Sequence, residues 1–183
     1  MSVDRMYQTY YGVYLNHWSD TWGGNTYNEM LVKEYPNEYL STTSVSIVSD
    51  ITFMYPSLYK NKYYLDGQME GHFTIYNQSS TTSYYVSSYT VELKKTNDVA
   101  SNETVLGTYS NTISSNNTVP PEDYLTLPIY MNIEKQIVNP NERLLLNITF
   151  TETGGTYTYV GFSHWNDSSI PDIKIKVPYA YTG

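Results

Sequence analysis

Cysteine is absent from the 183 residues, so neither a disulfide nor a thiolate metal site holds this chain together. Cations are few: ten Lys and Arg stand against eighteen Asp and Glu, a formal net charge of −8. They cluster no further than the pair Lys94-Lys95, which excludes the basic stripe of a nucleic-acid binder. The acidic excess is scattered, so it reads as a solubility feature. No apolar run nears the roughly 18 residues of a membrane span, and residues 1–13 lack the apolar centre of a secretory leader. The helix formers Ala and Leu are scarce, and no segment has a convincing helical period beyond a possible helix start at Pro121-Glu122-Asp123.

What the chain has in abundance is tyrosine, 22 residues against 4 Phe and 3 Trp. Tyr and Thr suit pleated, half-exposed surfaces. Strict alternation recurs accordingly. It aligns Val45, Ile47, Ile51 and Phe53; Phe73 and Ile75; Tyr85, Tyr89, Val91 and Leu93; Leu125, Leu127, Ile129, Met131 and Ile133; Leu144, Leu146, Ile148 and Phe150. The last such run sets Ile173, Ile175 and Val177 against Lys174 and Lys176, then meets Pro178. A period of two with one wet face is the mark of antiparallel strands.

Turn residues punctuate these runs. Asn139-Pro140-Asn141-Glu142 precedes a strand, and Gly154-Gly155 predicts a tight hairpin. Pro128 assigns its strand to an edge or a bulge. Residues 18–29 read as loop. Eight to ten short strands predict an all-β chain, an antiparallel two-sheet sandwich of jelly-roll type. Residues 41–183 form the sandwich, and residues 1–40 an irregular N-terminal arm with the first strands, within a single domain.

No Gly-x-Ser-x-Gly, phosphate loop or His-Glu-x-x-His occurs. Asp50, Glu70, Glu92 and Glu152 lie in or beside strands, but nothing pairs them as two carboxylates about 5–9 Å apart. The stretches His17-Trp18-Ser19-Asp20 and His164-Trp165-Asn166-Asp167 would suit Zn²⁺ or Mn²⁺ if they met; as isolated aromatic strand ends with Asx turns they would not. The expectation is therefore no enzyme, no metal and no cofactor. Asn77, Asn102, Asn116, Asn147 and Asn166 carry the glycosylation sequon, which a chain rich in Asn, Ser and Thr also produces by chance.

The stretch 127–179 resembles virion β-sandwich proteins of tailed phages and archaeal viruses. The positions that carry the resemblance are Asn141, Glu142, Arg143 and Leu144, then Gly154 and Gly155, then Asp167, Ser168 and Ser169, then Val177, Pro178 and Tyr179. It implies a capsid or capsid-decoration subunit, assembled in the host cytoplasm, whose partners are copies of itself and other virion proteins. Interface anchors would be Tyr7, Tyr10, Tyr11, Tyr14, Trp18 and Trp22 in the arm, and Tyr179 and Tyr181 in the tail. The alternative is a carbohydrate-binding or host-attachment module that stacks sugars on Trp18, Trp22 and Trp165.

Overall fold

The computed structural model describes residues 5–14, 20–22, 25–27, 29–33, 50–55, 59–77, 80–97, 102–112, 118–152, 160–161 and 173–180. In chain order the strands are β1 (Arg5–Tyr14), β2 (Asp20–Trp22), β3 (Asn25–Tyr27), β4 (Glu29–Val32), β5 (Asp50–Met54) and β6 (Tyr63–Asn77). They continue as β7 (Tyr84–Thr96), β8 (Thr104–Thr112), β9 (Thr118–Val119), β10 (Tyr124–Val138), β11 (Arg143–Glu152), β12 (Val160–Gly161) and β13 (Ile173–Ala180).

Nine of them follow one path, β10-β6-β13-β1-β4-β5-β11-β7-β8. Every pairing along it is antiparallel except β4–β5, which meet in parallel at Met30 and Met54. That junction separates two antiparallel sheets that pack face to face as a sandwich. Phe73 of β6 stands edge-on to Tyr89 of β7 and Phe150 of β11, ring centroids 5.1 and 5.6 Å apart. Tyr89 also donates its hydroxyl proton to the Pro128 carbonyl on β10 at 2.7 Å.

Most of the alternating residues form the core, although Tyr85, aligned with Tyr89, is 41% exposed. Ile51, Phe53, Leu127, Ile129, Ile133, Leu144, Leu146, Ile148, Ile173, Ile175 and Val177 are all buried, each stabilising the fold by about 1.5–3 kcal/mol relative to exposure. Strand β6 is longer than its Phe73-Ile75 signal. Its inward positions read Leu65, Gly67, Met69, Gly71, Phe73, Ile75, and two glycines among six hide the period. Each has its own reason. Gly67 has φ 126° and lies where the register against β10 shifts by a bulge after Ile133. A Cβ on Gly71 would sit 2.2 Å from the Lys174 carbonyl oxygen, so β6 and β13 approach too closely there for a side chain.

Pro128 lies in β10, an end of the path, as its missing N–H requires. Pro178 is different. Strand β13 runs on to Ala180 and is interior, paired with β1 on one side and β6 on the other. The proline is tolerated because the ladder to β6 breaks between Lys176 and Tyr179 while Pro178 stays in register with Tyr7. The turn at 139–142 gives Asn141 a φ of 67°, with Pro140 before it, as a type II turn demands. Residues 120–123 form a turn with Glu122 at φ 55°, not a helix start.

One loop expectation changes: residues 18–29 contain the β2–β3 pair, with Trp22 opposite Asn25. The hairpin expected at Gly154-Gly155 lies outside the described residues, and β12 pairs with β6.

Candidate functional site

The N-terminal stretch read as an arm holds a core strand. Residues 5–11 of β1 pair with β13 on one side, and residues 11–14 pair with β4 on the other. Alternation turns Tyr10 fully inward. Tyr179 stands on the neighbouring strand, opposite Met6 of β1 and Leu65 of β6. A third tyrosine comes from the connection before β6. Tyr59 is pinned by its backbone: its N–H donates to the Glu142 carbonyl at 2.9 Å, and its carbonyl accepts from Asn141 at 2.8 Å.

The three hydroxyls form a closed triangle. Tyr10 lies 2.8 Å from Tyr59 and 2.6 Å from Tyr179, and Tyr59 lies 2.6 Å from Tyr179. Burial, first of all, raises the pKa of each phenol above its ordinary value; for Tyr10 and Tyr59 the rise is large, and the adjoining phenol Tyr179 adds to it. All three therefore stay protonated at neutral pH.

Around the triangle the rings pack edge to face. Tyr55 stands 5.3 Å from Tyr10, and Tyr63 stands 5.1 Å from Tyr59 and 5.8 Å from Tyr179. Lysines cap this aromatic belt. Lys33 lies 5.3 Å over the Tyr55 ring, while Lys62 and Lys135 lie 5.5 and 5.4 Å over that of Tyr64. Beside the triangle opens a cavity of about 520 Å³, reached past Met6, Tyr7, Gln8, Asn61 and Lys62. This volume falls in the range of roughly 300–1,000 Å³ typical of small-molecule sites.

The fold has solved counterparts. Two crystal structures of a CocE/NonD family hydrolase from Staphylococcus aureus match 97% of this chain at 10% identity, with TM-scores of 0.58 and 0.51. An α-amino acid ester hydrolase matches 72% of it at 12% identity and a TM-score of 0.42. This chain spans only 37% and 35% of the two S. aureus chains. At such identity the likeness is one of fold. No family model and no curated protein matches the sequence.

These likenesses correct one expectation. The absence of linear motifs predicts no enzyme, yet the two S. aureus chains that share this fold are hydrolases. A catalytic constellation is assembled in space from distant residues, so the lack of a local motif is no exclusion.

The other expected site residues fall as follows. Tyr7 is exposed on β1 and Tyr11 half-buried, whereas Tyr10 is core and Tyr179 belongs to the triangle. Tyr10 is fully buried, and Tyr179 is half-buried and lines the cavity beside the triangle. Tyr14 pairs with Glu29 and Trp22 with Asn25 through the backbone. Trp18, Trp165, Tyr181, His17, His164, Asp167, Asn116 and Asn166 lie outside the described residues. Asp20 begins β2. Among the described residues no group of three His, Asp and Glu is placed to hold a metal ion.

Of the carboxylates, Asp50 is exposed at the start of β5, and Glu152 ends β11. Glu70 pairs with Lys176 at 3.7 Å, and Glu92 with Lys94 at 3.2 Å. Of the sequons, Asn102 is exposed just before β8 and Asn77 ends β6. The Asn147 side chain is committed to its sheet, donating to Thr52 at 2.9 Å and accepting from Thr149 at 3.2 Å. Tyr59, Tyr63 and Tyr64 escaped the sequence reading. Their one signal is the interleaving of tyrosine and lysine in Tyr59-Lys60-Asn61-Lys62-Tyr63-Tyr64.

Proposed function

We propose that this chain is a structural subunit of a virion, a shell or shell-decorating sandwich that works through contacts with other copies and other shell proteins. One observation carries the reading. The two strands that end the sheet path, β8 and β10, each bear a large exposed apolar side chain, Val105 at 45% and Tyr130 at 50%. These edges come together on the surface, with Tyr109 of β8 and Tyr130 of β10 at a ring distance of 6.3 Å. Edge strands offer unpaired backbone groups, and apolar side chains beside them favour strand or face contacts with another subunit. The resemblance of residues 127–179 to virion sandwich proteins supports the same reading. The proposal concerns assembly and sets no bar to catalysis.

Light scattering of the full chain over rising concentration tests it. Assembly should increase with concentration, and V105K or Y130K should weaken association by about tenfold or more. A wild-type chain that stays monomeric throughout, or assembly indifferent to both substitutions, overturns the reading.

A further inference from the structure

The chemistry of the tyrosine-lined cavity selects a kind of ligand. A phenol has one proton to donate and two lone pairs to accept with. Three hydroxyls in a closed triangle spend three protons on its three edges. Each oxygen is left with a spare lone pair and no spare proton. Toward the cavity, where Tyr179 is the half-buried member, the triangle can only accept.

The rim has the opposite character. Lys33 and Lys62 both line the cavity, and both are exposed. Among its described lining residues there is no carboxylate. No described lining residue therefore offsets the two ammonium charges. A cationic ligand is repelled here, so the donors that satisfy the phenol oxygens belong on neutral hydroxyl groups. The exposed ring of Tyr7 adds a flat apolar surface at the mouth, of the kind that covers the C–H face of a pyranose.

Hydroxyl donors, a negative charge and a flat C–H face meet in one chemical class. We propose that this cavity is a binding site for an acidic saccharide, a pyranose bearing a carboxylate. Lys33 and Lys62 hold the charged group, the Tyr179 hydroxyl, its proton committed within the triangle, accepts from a ring hydroxyl, and Tyr7 stacks on the ring. The site is separate from the edge strands on which the assembly reading rests, so either can fail without the other.

Calorimetric titration of the full chain with a linear trimer of galacturonic acid tests this, against the neutral galactose trimer and against inorganic sulfate. The acidic trimer should bind at least about tenfold more tightly than the neutral one, and weaken as salt rises. The double variant K33Q/K62Q should lose that preference while still unfolding in one cooperative urea transition, since both lysines are exposed. Three results overturn the proposal: no heat with the acidic trimer, equal binding of the neutral trimer, or undiminished binding by the double variant. Sulfate competing as well as the acidic trimer also overturns it, since the site would then read charge alone.

Discussion

The hydroxyl of Tyr59 lies 2.6 Å from that of Tyr179, 120 residues further along the chain. The contact joins the connection before β6 to the last strand, and Tyr10 of the first strand closes the ring. Three distant parts of the sequence are thus locked together by a polar cluster inside an apolar core.

Replacing Tyr59 by Phe removes one hydroxyl and leaves the other two with a broken ring. Because the shape of the side chain is kept, the loss isolates the hydrogen bonds, and urea denaturation should show a destabilisation of about 1–3 kcal/mol. Tyr10→Phe should cost a similar amount, and the double variant less than the sum, since both remove the same ring. Strict additivity would show that the triangle does not act as a unit.

Gly71→Ala should be severe. The new Cβ meets the Lys174 backbone carbonyl at 2.2 Å, and backbone in a central ladder cannot step aside, so the cost should be roughly 3 kcal/mol or more. Gly107→Ala is the control. Its nearest neighbour is the flexible Met131 sulfur at 3.0 Å, and the cost should stay near 1 kcal/mol. Thermal melts of the two variants compare them directly.

Alkali should unfold the protein through its buried phenols. Burial pushes Tyr89 up to about 12 from the ordinary value of 10.0, and Tyr10, Tyr59 and Tyr179 are raised as well. A raised phenol keeps its proton longer in the folded chain than in the unfolded one. The stability this contributes is fully present below about pH 10 and is lost as pH rises through about 12. Urea midpoints measured between pH 8 and 12 should therefore be flat at first and then fall. Absorbance at the tyrosinate band should show a late-titrating fraction that appears together with unfolding.

The 139–142 turn supports a prediction of opposite signs. Asn141 sits at φ 67°, where glycine is at ease and alanine pays about 1–2 kcal/mol. Asn141→Gly should be neutral or slightly stabilising, and Asn141→Ala should destabilise. Glu142 locks the same turn, accepting from the Asn139 N–H at 2.6 Å and from Lys95 at 3.1 Å. Lys95 also donates to the Ile137 carbonyl at 2.6 Å. Glu142→Ala should thus loosen the turn and the Tyr59 backbone bonded to it, read as a lower urea midpoint and faster amide exchange at Tyr59.

Much of this architecture is local and therefore legible. Whether a residue points to the core or to water follows from alternation along a single strand, and Ile173, Ile175 and Val177 were readable as buried on that ground alone. So were the absence of covalent cross-links, the all-β class and the turn at 139–142, whose cause lies in its own residues. Strand β6 shows where legibility ends: Gly67 and Gly71 erase its period because they answer to the bulge in β10 and the close approach of β13, both remote in sequence.

The rest was decided in three dimensions. Alternation assigns a face to each strand but not a neighbour, so it could not reveal that the first and last strands lie side by side. That pairing makes Pro178 interior, tolerable only through a local break in the ladder to β6. It turns an apparent arm and an apparent tail into adjacent core strands. The same pairing sets Tyr10 beside Tyr179 and brings Tyr59 against both, because hydrogen-bonded neighbours are chosen by the packing of whole sheets rather than by any short run of residues.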